Sequence, residues 1–102
     1  MARGYWIGRI DVTDPDAYQR YVKANAESFA LYNARFLVRG GEHEVPEGAA
    51  RSRNVVIEFD SYQSALDCYH SPEYQVAKAL RVDAAESDLL IIEGYDGSQP
   101  GD

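Results

Sequence analysis

The side chains able to carry chemistry in this sequence are few, and their spacing narrows what each could do. Arg39 and Glu58 fall on two neighbouring strand patterns, as Arg9 and Glu93 do on the first and last, and each pair joins opposite charges in apolar surroundings. Both pairs are expected to be close in space. They would either neutralise one another where two copies meet, or leave Arg39 or Glu93 to meet a ligand. His70 lies between two helical patterns, where an exposed imidazole could act as acid or base, or simply stand in solvent. Asn25 interrupts an aromatic helical stripe, and a polar amide on a core-facing stripe needs hydrogen-bond partners, so it could line a pocket between helix and sheet. Tyr18, Tyr21 and Tyr32 on that stripe, with Tyr62, Tyr69 and Tyr74 further along, would give such a pocket flat walls tipped with hydroxyls, or would serve plain helix packing.

Other chemistries find no support. Cys68 is the only cysteine, so neither an intrachain disulfide nor a cysteine-based zinc site can form. Cys68 and His70, two apart on a helix, point about 200° away from each other and cannot act as nucleophile and base there. Cys68 is expected to be a buried structural residue. In Glu42-His43-Glu44 neighbours alternate between faces, so no metal site is expected. Gly40-Gly41 leads into more strand pattern and not into a helix, and there is no serine elbow or HExxH spacing. No cofactor is expected.

Ten basic against seventeen acidic side chains in 102 residues give a formal charge of −7, which repels phosphate backbones and anionic membrane surfaces. Nucleic acid is therefore not expected as a partner. No apolar run approaches the roughly 20 residues of a membrane span, and Met-Ala-Arg-Gly-Tyr-Trp enters a strand pattern without a signal-peptide core, so the expected location is the cytoplasm. With 45% apolar and 26% charged residues, the chain should fold as one small domain over 1–96, followed by a polar tail at 97–102.

The elements that must position these side chains follow from periodicity. Residues 4 to 12 are rich in β-branched and aromatic types and stop at Thr13-Asp14-Pro15, which reads as a strand and then a capped helix start. Tyr18, Tyr21, Val22, Asn25, Phe29 and Tyr32 form one stripe of 3.6-residue period, predicting a helix to about Asn33. Arg35 to Arg39 reads as a second strand, resuming after Gly40-Gly41 toward Val45 and turning at Pro46-Glu47-Gly48. Residues 53 to 59 give the third strand. Ser61 caps a helix bearing Tyr62, Ala65, Leu66 and Tyr69. Ser71-Pro72 repeats the cap-plus-proline signature and starts a piece with Val76, Ala77, Leu80 and Ala84 on its buried side. Leu89 to Tyr95 reads as the last strand.

The order β-α-β-β-α-β is the ferredoxin-like split βαβ plan: an α+β fold with a four-stranded antiparallel sheet, helices on one face, the first and third strands in the centre, the fourth beside the first and the second beside the third. Alternation sorts Trp6, Gly8, Ile10, Val12, Phe36, Val38, Val55, Ile57, Phe59, Leu90 and Ile92 to the helix-covered face. The other face then holds Tyr5, Ile7, Arg9, Asp11, Leu37, Arg39, Val56, Glu58, Leu89, Ile91, Glu93 and Tyr95. It is too apolar to be left in water, so a homodimer formed through that sheet face is expected.

Gly4-Tyr-Trp-Ile, Asp14-Pro15-x-x-Tyr18-x-x-Tyr21, Phe36-Leu-Val-Arg-Gly-Gly41, Val56-Ile-Glu-Phe59, Tyr69-His-Ser-Pro-Glu-Tyr74 and Glu93-Gly-Tyr95 together resemble the domain-of-unknown-function family numbered thirteen-thirty. The resemblance covers nearly the whole chain. It implies the dimeric α+β barrel superfamily, whose members pair their sheets and whose relatives include cofactor-free monooxygenases, lactone isomerases and haem-degrading enzymes. A haem role does not fit, because neither histidine has a proximal-ligand context. The matched motifs carry Arg39, Glu58, His70, Ser71 and Tyr74, which with Asn25 are the candidate site. As an enzyme the domain would take a small organic acid or aromatic, with Arg39 holding an anionic group, Tyr74 donating a hydrogen bond and His70 moving a proton; Asn25, Glu58 and Ser71 would help bind the ligand. The alternative is a homodimeric small-molecule-binding or accessory module without catalysis.

Overall fold

The computed structural model describes residues 2–102. Its elements are β1 (Gly4–Val12), α1 (Pro15–Leu31), β2 (Arg35–Arg39), β3 (Arg53–Phe59), α2 (Tyr62–His70), α3 (Pro72–Arg81) and β4 (Ala85–Glu93). The strands form one antiparallel sheet in the order β2-β3-β1-β4, with the helices over one face: a ferredoxin-like fold whose second helix is broken in two. The breaks are local chemistry. Asp14 caps α1 by accepting from the Ala17 amide at 3.2 Å, with Pro15 in the first helical position. Ser61 caps α2 in the same way, accepting from the Ser64 amide at 3.0 Å. Pro72 has no N–H with which to continue α2, and Ser71 turns the chain: its hydroxyl donates to the Cys68 carbonyl at 2.7 Å and accepts from the Tyr74 amide at 3.1 Å.

Trp6 is the hub of the core. It is 2% exposed, its ring lies 4.9 to 5.9 Å from those of Phe29, Phe59, Tyr69 and Tyr74, and its indole N–H donates to the Ala65 carbonyl at 2.9 Å. Such aromatic pairs contribute about 0.5–1.5 kcal/mol each beyond the area they bury.

Strand order and both central strands agree with the expectation from sequence; several placements differ. The second strand does not resume after Gly40-Gly41. Gly40 turns the chain at φ 70°, where a Cβ would lie 2.6 Å from Arg53, and 41–52 run outside the sheet. The last strand begins at Ala85, four residues earlier than expected, and its register sets Ile91 opposite Trp6 and Leu89 opposite Gly8. Leu89 and Ile91 therefore face the helices, while Leu90 (50% exposed) and Ile92 (48% exposed) face outward, the reverse of the expected assignment. A one-residue slip exchanges the faces of a whole strand, and the unbroken run Leu89-Leu90-Ile91-Ile92 has no alternation to prevent it. On α3 the buried side is Tyr74 and Ala77, with Ala84 beyond; Val76 and Leu80 lie off that row and are exposed.

Both expected charge pairs are absent. Arg9 stands opposite Asp88, and Glu93 opposite Gly4. Glu58 stands opposite Arg35, and further along β2 carries a register shift between Phe36 and Val38. That bulge moves Val38 outward to face Val56 and brings Arg39 opposite Val55 on the helix side.

Candidate functional site

On the helix-covered face, β3, β1 and β4 present three rungs of side chains: Ile57–Trp6–Ile91, Val55–Gly8–Leu89 and Arg53–Ile10–Ser87. The middle rung has a glycine at its centre, and this opens space. A Cβ on Gly8 would come 3.0 Å from the Val55 Cγ2 and fill the floor. Above it α1 contributes Tyr18, Tyr21, Val22 and Asn25, spaced to share one helix face, and α3 contributes Tyr74 and, seven residues on, Arg81. Trp6, Phe29 and Phe36 add apolar walls, and Arg39 and Arg53 complete the lining. The space enclosed within these walls is small, about 40 Å³, and opens to solvent at its mouth.

Three of its polar atoms lack hydrogen-bond partners among the described residues, and its guanidiniums lack carboxylates. Ion pairs among the described residues engage Arg3, Arg35 and Arg51; Arg39, Arg53 and Arg81 take part in none. Instead these three guanidiniums lie over aromatic rings, Arg39 over Phe36 at 4.0 Å, Arg53 over Tyr18 at 5.9 Å and Arg81 over Tyr21 at 5.5 Å. Arg53 Nε, Arg81 Nε and Ser87 Oγ are buried without a hydrogen-bond partner, and all three residues line the cavity. Native interiors rarely leave such groups unpaired unless something else satisfies them. Asp88, the one acid on the wall, is occupied, accepting from Arg51 Nε at 2.9 Å.

Two of the tyrosine hydroxyls, Tyr18 and Tyr74, are held in their protonated form. Tyr21 and Tyr74 share a hydrogen bond of 2.8 Å, and burial, reinforced by Tyr21, pushes the Tyr74 hydroxyl far above its ordinary range. Tyr18 is raised by burial and by Tyr21 as well. Burial works against the Arg81 charge, yet the Tyr74 and Tyr21 hydroxyls beside it leave its pKa raised. The cavity is thus an apolar, aromatic chamber with fixed positive charge and neutral hydroxyl donors, suited to holding an anion or a developing oxyanion. Among the described residues no three His, Cys, Asp or Glu side chains are grouped as metal ligands would be.

Of the residues singled out from sequence, Asn25, Arg39 and Tyr74 line this cavity. Asn25 is 5% exposed, and its backbone carbonyl accepts from Ser28 Oγ at 3.0 Å. His70 lies outside, exposed at the end of α2 with its ring 5.2 Å from that of Tyr69, along an adjoining groove. Ser71 is occupied as the cap between α2 and α3. Glu58 is on the opposite side of the sheet, accepting from Arg35 Nε and from the Tyr5 hydroxyl, each at 3.1 Å; burial opposes its charge, but these donors hold its carboxyl below the ordinary range. Arg53, Arg81 and Ser87 were not foreseen. The available signal for Arg81 was its place seven residues after Tyr74 on one helix face. Cys68 is buried, within 3.8 Å of the Ser28 carbonyl, and burial pushes its thiol up to about 12.

The family model described as a domain of unknown function (DUF1330) matches residues 3–95. No curated protein matches the sequence. Among solved structures, RPA0582, a protein of unknown function from Rhodopseudomonas palustris, is similar at TM-score 0.70 and 16% identity, over 94% of this chain and 85% of that one. SnoaB, a cofactor-independent oxygenase from Streptomyces nogalater, is similar at TM-score 0.62 and 12% identity, over 98% and 97% of the two chains. A dimeric ferredoxin-like protein of unknown function from Thermobifida fusca is similar at TM-score 0.61 and 14% identity, over 90% and 91%. At these identities the likeness is one of fold.

Proposed function

Since the chain belongs to the family described as a domain of unknown function (DUF1330), which brings no reaction with it, we propose a function from the cavity: binding of a small organic acid with an aromatic or otherwise apolar body. The observation that carries this reading is the pair of buried guanidinium nitrogens, Arg53 Nε and Arg81 Nε, that have no partner in the protein. A carboxylate entering past Arg39 satisfies them. Its carbon body then rests against Trp6, Phe29 and Phe36, with the Tyr21–Tyr74 hydroxyl pair and the Asn25 amide within the same walls. Trp6 is the only tryptophan, so its fluorescence reports on occupancy.

The test is titration with benzoate and with benzamide, which has nearly the same shape and no charge. Benzoate is expected to bind at least tenfold more tightly. Equal affinities, or no saturable binding of benzoate at millimolar concentration, would overturn the reading.

A catalytic reading of the same cavity draws on Arg81 beside the Tyr74 hydroxyl, a pair suited to holding a phenolate or enolate, and on the likeness of fold to a cofactor-independent oxygenase. In that reading Arg39 holds the acid group, Tyr74 donates a hydrogen bond and His70 moves the proton from the adjoining groove. Oxygen uptake by the protein with 1,4-dihydroxy-2-naphthoate, reduced in Tyr74→Phe and His70→Ala, tests it; uptake equal to a buffer blank would discard it for that substrate class.

The domain acts as a homodimer in this proposal. Ile7, Leu37, Val38, Val56, Leu90 and Ile92 make the outer sheet face apolar, and covering each such side chain stabilises by about 1.5–3 kcal/mol. A second copy presenting the same face supplies that cover.

A further inference from the structure

Beside the cavity runs a second space, a groove lined by Tyr69, His70, Lys78, Arg81, Ser87, Leu89 and Ile91. Three residues line both: Arg81, Ser87 and Leu89. The wall between the two spaces is therefore narrow, and it is polar in a particular way. Two of the three buried polar atoms without partners, Arg81 Nε and Ser87 Oγ, belong to it. On the groove side Lys78 takes part in none of the ion pairs of the described residues; its ammonium lies 5.3 Å from the centre of the Tyr69 ring. The floor there is apolar, from Leu89 and Ile91.

A cation without an acid partner, an apolar floor and a shared wall with unsatisfied donors describe a continuation of the binding site. In a chain of net charge −7, two adjacent spaces lined by Arg39, Arg53, Arg81 and Lys78 with no free carboxylate between them concentrate positive potential where the rest of the surface is acidic.

The geometry points to a two-ended ligand: an elongated diacid whose apolar body and first carboxylate occupy the cavity and whose second carboxylate reaches past Arg81 and Ser87 to Lys78. This rests on the reading of the cavity as a site for small organic acids. It adds the length of the ligand and the number of its charges, and it gives Lys78 a role in selecting between monoacids and diacids. A second charge-assisted contact adds about 1.5–3 kcal/mol, or roughly 10- to 150-fold in affinity, when the ligand spans the two sites without strain.

The experiment compares benzoate with terephthalate and with the longer 1,4-phenylenediacetate, in the wild-type chain and in Lys78→Ala and Lys78→Glu. At least one diacid is expected to bind tenfold or more tightly than benzoate. That ratio should fall to about one in Lys78→Ala and below one in Lys78→Glu. Binding of benzoate with no advantage for either diacid, or an advantage that survives both substitutions, would overturn the two-ended site and leave the cavity reading standing. Absence of binding by all three acids would remove both.

Discussion

Replacing Arg81 by methionine separates a ligand-binding arginine from a structural one. The methionine keeps most of the unbranched apolar stem that packs beside Tyr21 and removes the guanidinium. In the free protein the substitution relieves a buried N–H without a partner, a burden of about 1–3 kcal/mol. It also removes the cation lying 5.5 Å above the Tyr21 ring, a contact of about 0.5–1 kcal/mol. The positive charge in the last turn of α3 goes as well, at about 0.3–1 kcal/mol. The balance runs from about 1 kcal/mol of loss to about 2 kcal/mol of gain, so the free protein should be no less stable by more than that small amount. Affinity for benzoate behaves differently, because a hydrogen-bonded charge opposite the carboxylate is lost, and should fall by roughly 10- to 150-fold. Urea denaturation at one fixed protein concentration reads the first quantity, and Trp6 fluorescence titration the second. A stability loss above about 2 kcal/mol with benzoate affinity intact would refute the reasoning, since it would make Arg81 a packing residue.

Ser71→Ala should show the opposite split: loss of the α3 cap lowers stability by about 0.5–2 kcal/mol, while benzoate affinity stays within about twofold. Unchanged stability with lost binding would return Ser71 to the ligand site. If the proposed homodimer forms through the outer face, Leu90→Asp should leave a folded monomer in sedimentation at micromolar concentration where the wild-type chain is a dimer, because Leu90 stands opposite Ile7 there; a wild-type monomer, a mutant dimer that persists, or a chain that unfolds would count against that assignment. Acid should destabilise the fold. The Asp11 carboxyl is lowered chiefly by the Ser52 amide and Asp60 chiefly by Asn33, while Glu58 is lowered by Arg35 and Tyr5 against the opposing effect of burial. Each has a folded pKa below its unfolded one, so the unfolded chain binds more protons in that interval. The stabilisation is present above the ordinary carboxylate range and is lost as pH falls through the folded values. The urea midpoint should therefore drop between pH 5 and pH 3, and drop less in Glu58→Gln; a drop of the same size in both would contradict this.

The two capped helix starts at Pro15 and Pro72 and the aromatic stripe of α1 were legible in the sequence because each rests on a local rule: a proline without an N–H, a side chain three residues from the amide it caps, a period of 3.6; strand order followed from the sequence of elements and the handedness of their crossovers. What was not legible depends on counting residues across strands. The bulge between Phe36 and Val38 is invisible in Arg35-Phe-Leu-Val-Arg39, yet it decides whether Arg39 faces a partner sheet or the cavity. Leu89-Leu90-Ile91-Ile92 is apolar in both parities, so only its pairing with Trp6 and Gly8 fixes which side chains enter the core. Both errors displaced the expected site in the same direction, toward the outer sheet face, where Glu58 was given Arg39 as its partner and Glu93 was given Arg9.

Moving those charges also changes what they mean. With Arg39 on the outer face, an arginine near Glu58 reads as half of an ion pair. On the helix side it joins Arg53 and Arg81 around an aromatic chamber, and Glu58 is left to Arg35. The sheet thus sorts its charges by face: outside, the Arg35 and Arg51 clusters are paired with carboxylates within 3.3 Å, and inside three guanidiniums are paired with none. A paired cluster stabilises or positions the fold and needs nothing further. Arg53 and Arg81, partly buried and without a carboxylate partner, carry an unfavourable electrostatic burden in the free protein that an anion would relieve. That asymmetry, set by one bulge in β2 and one glycine in β1, is the physical reason to look for the ligand between the helices and the sheet.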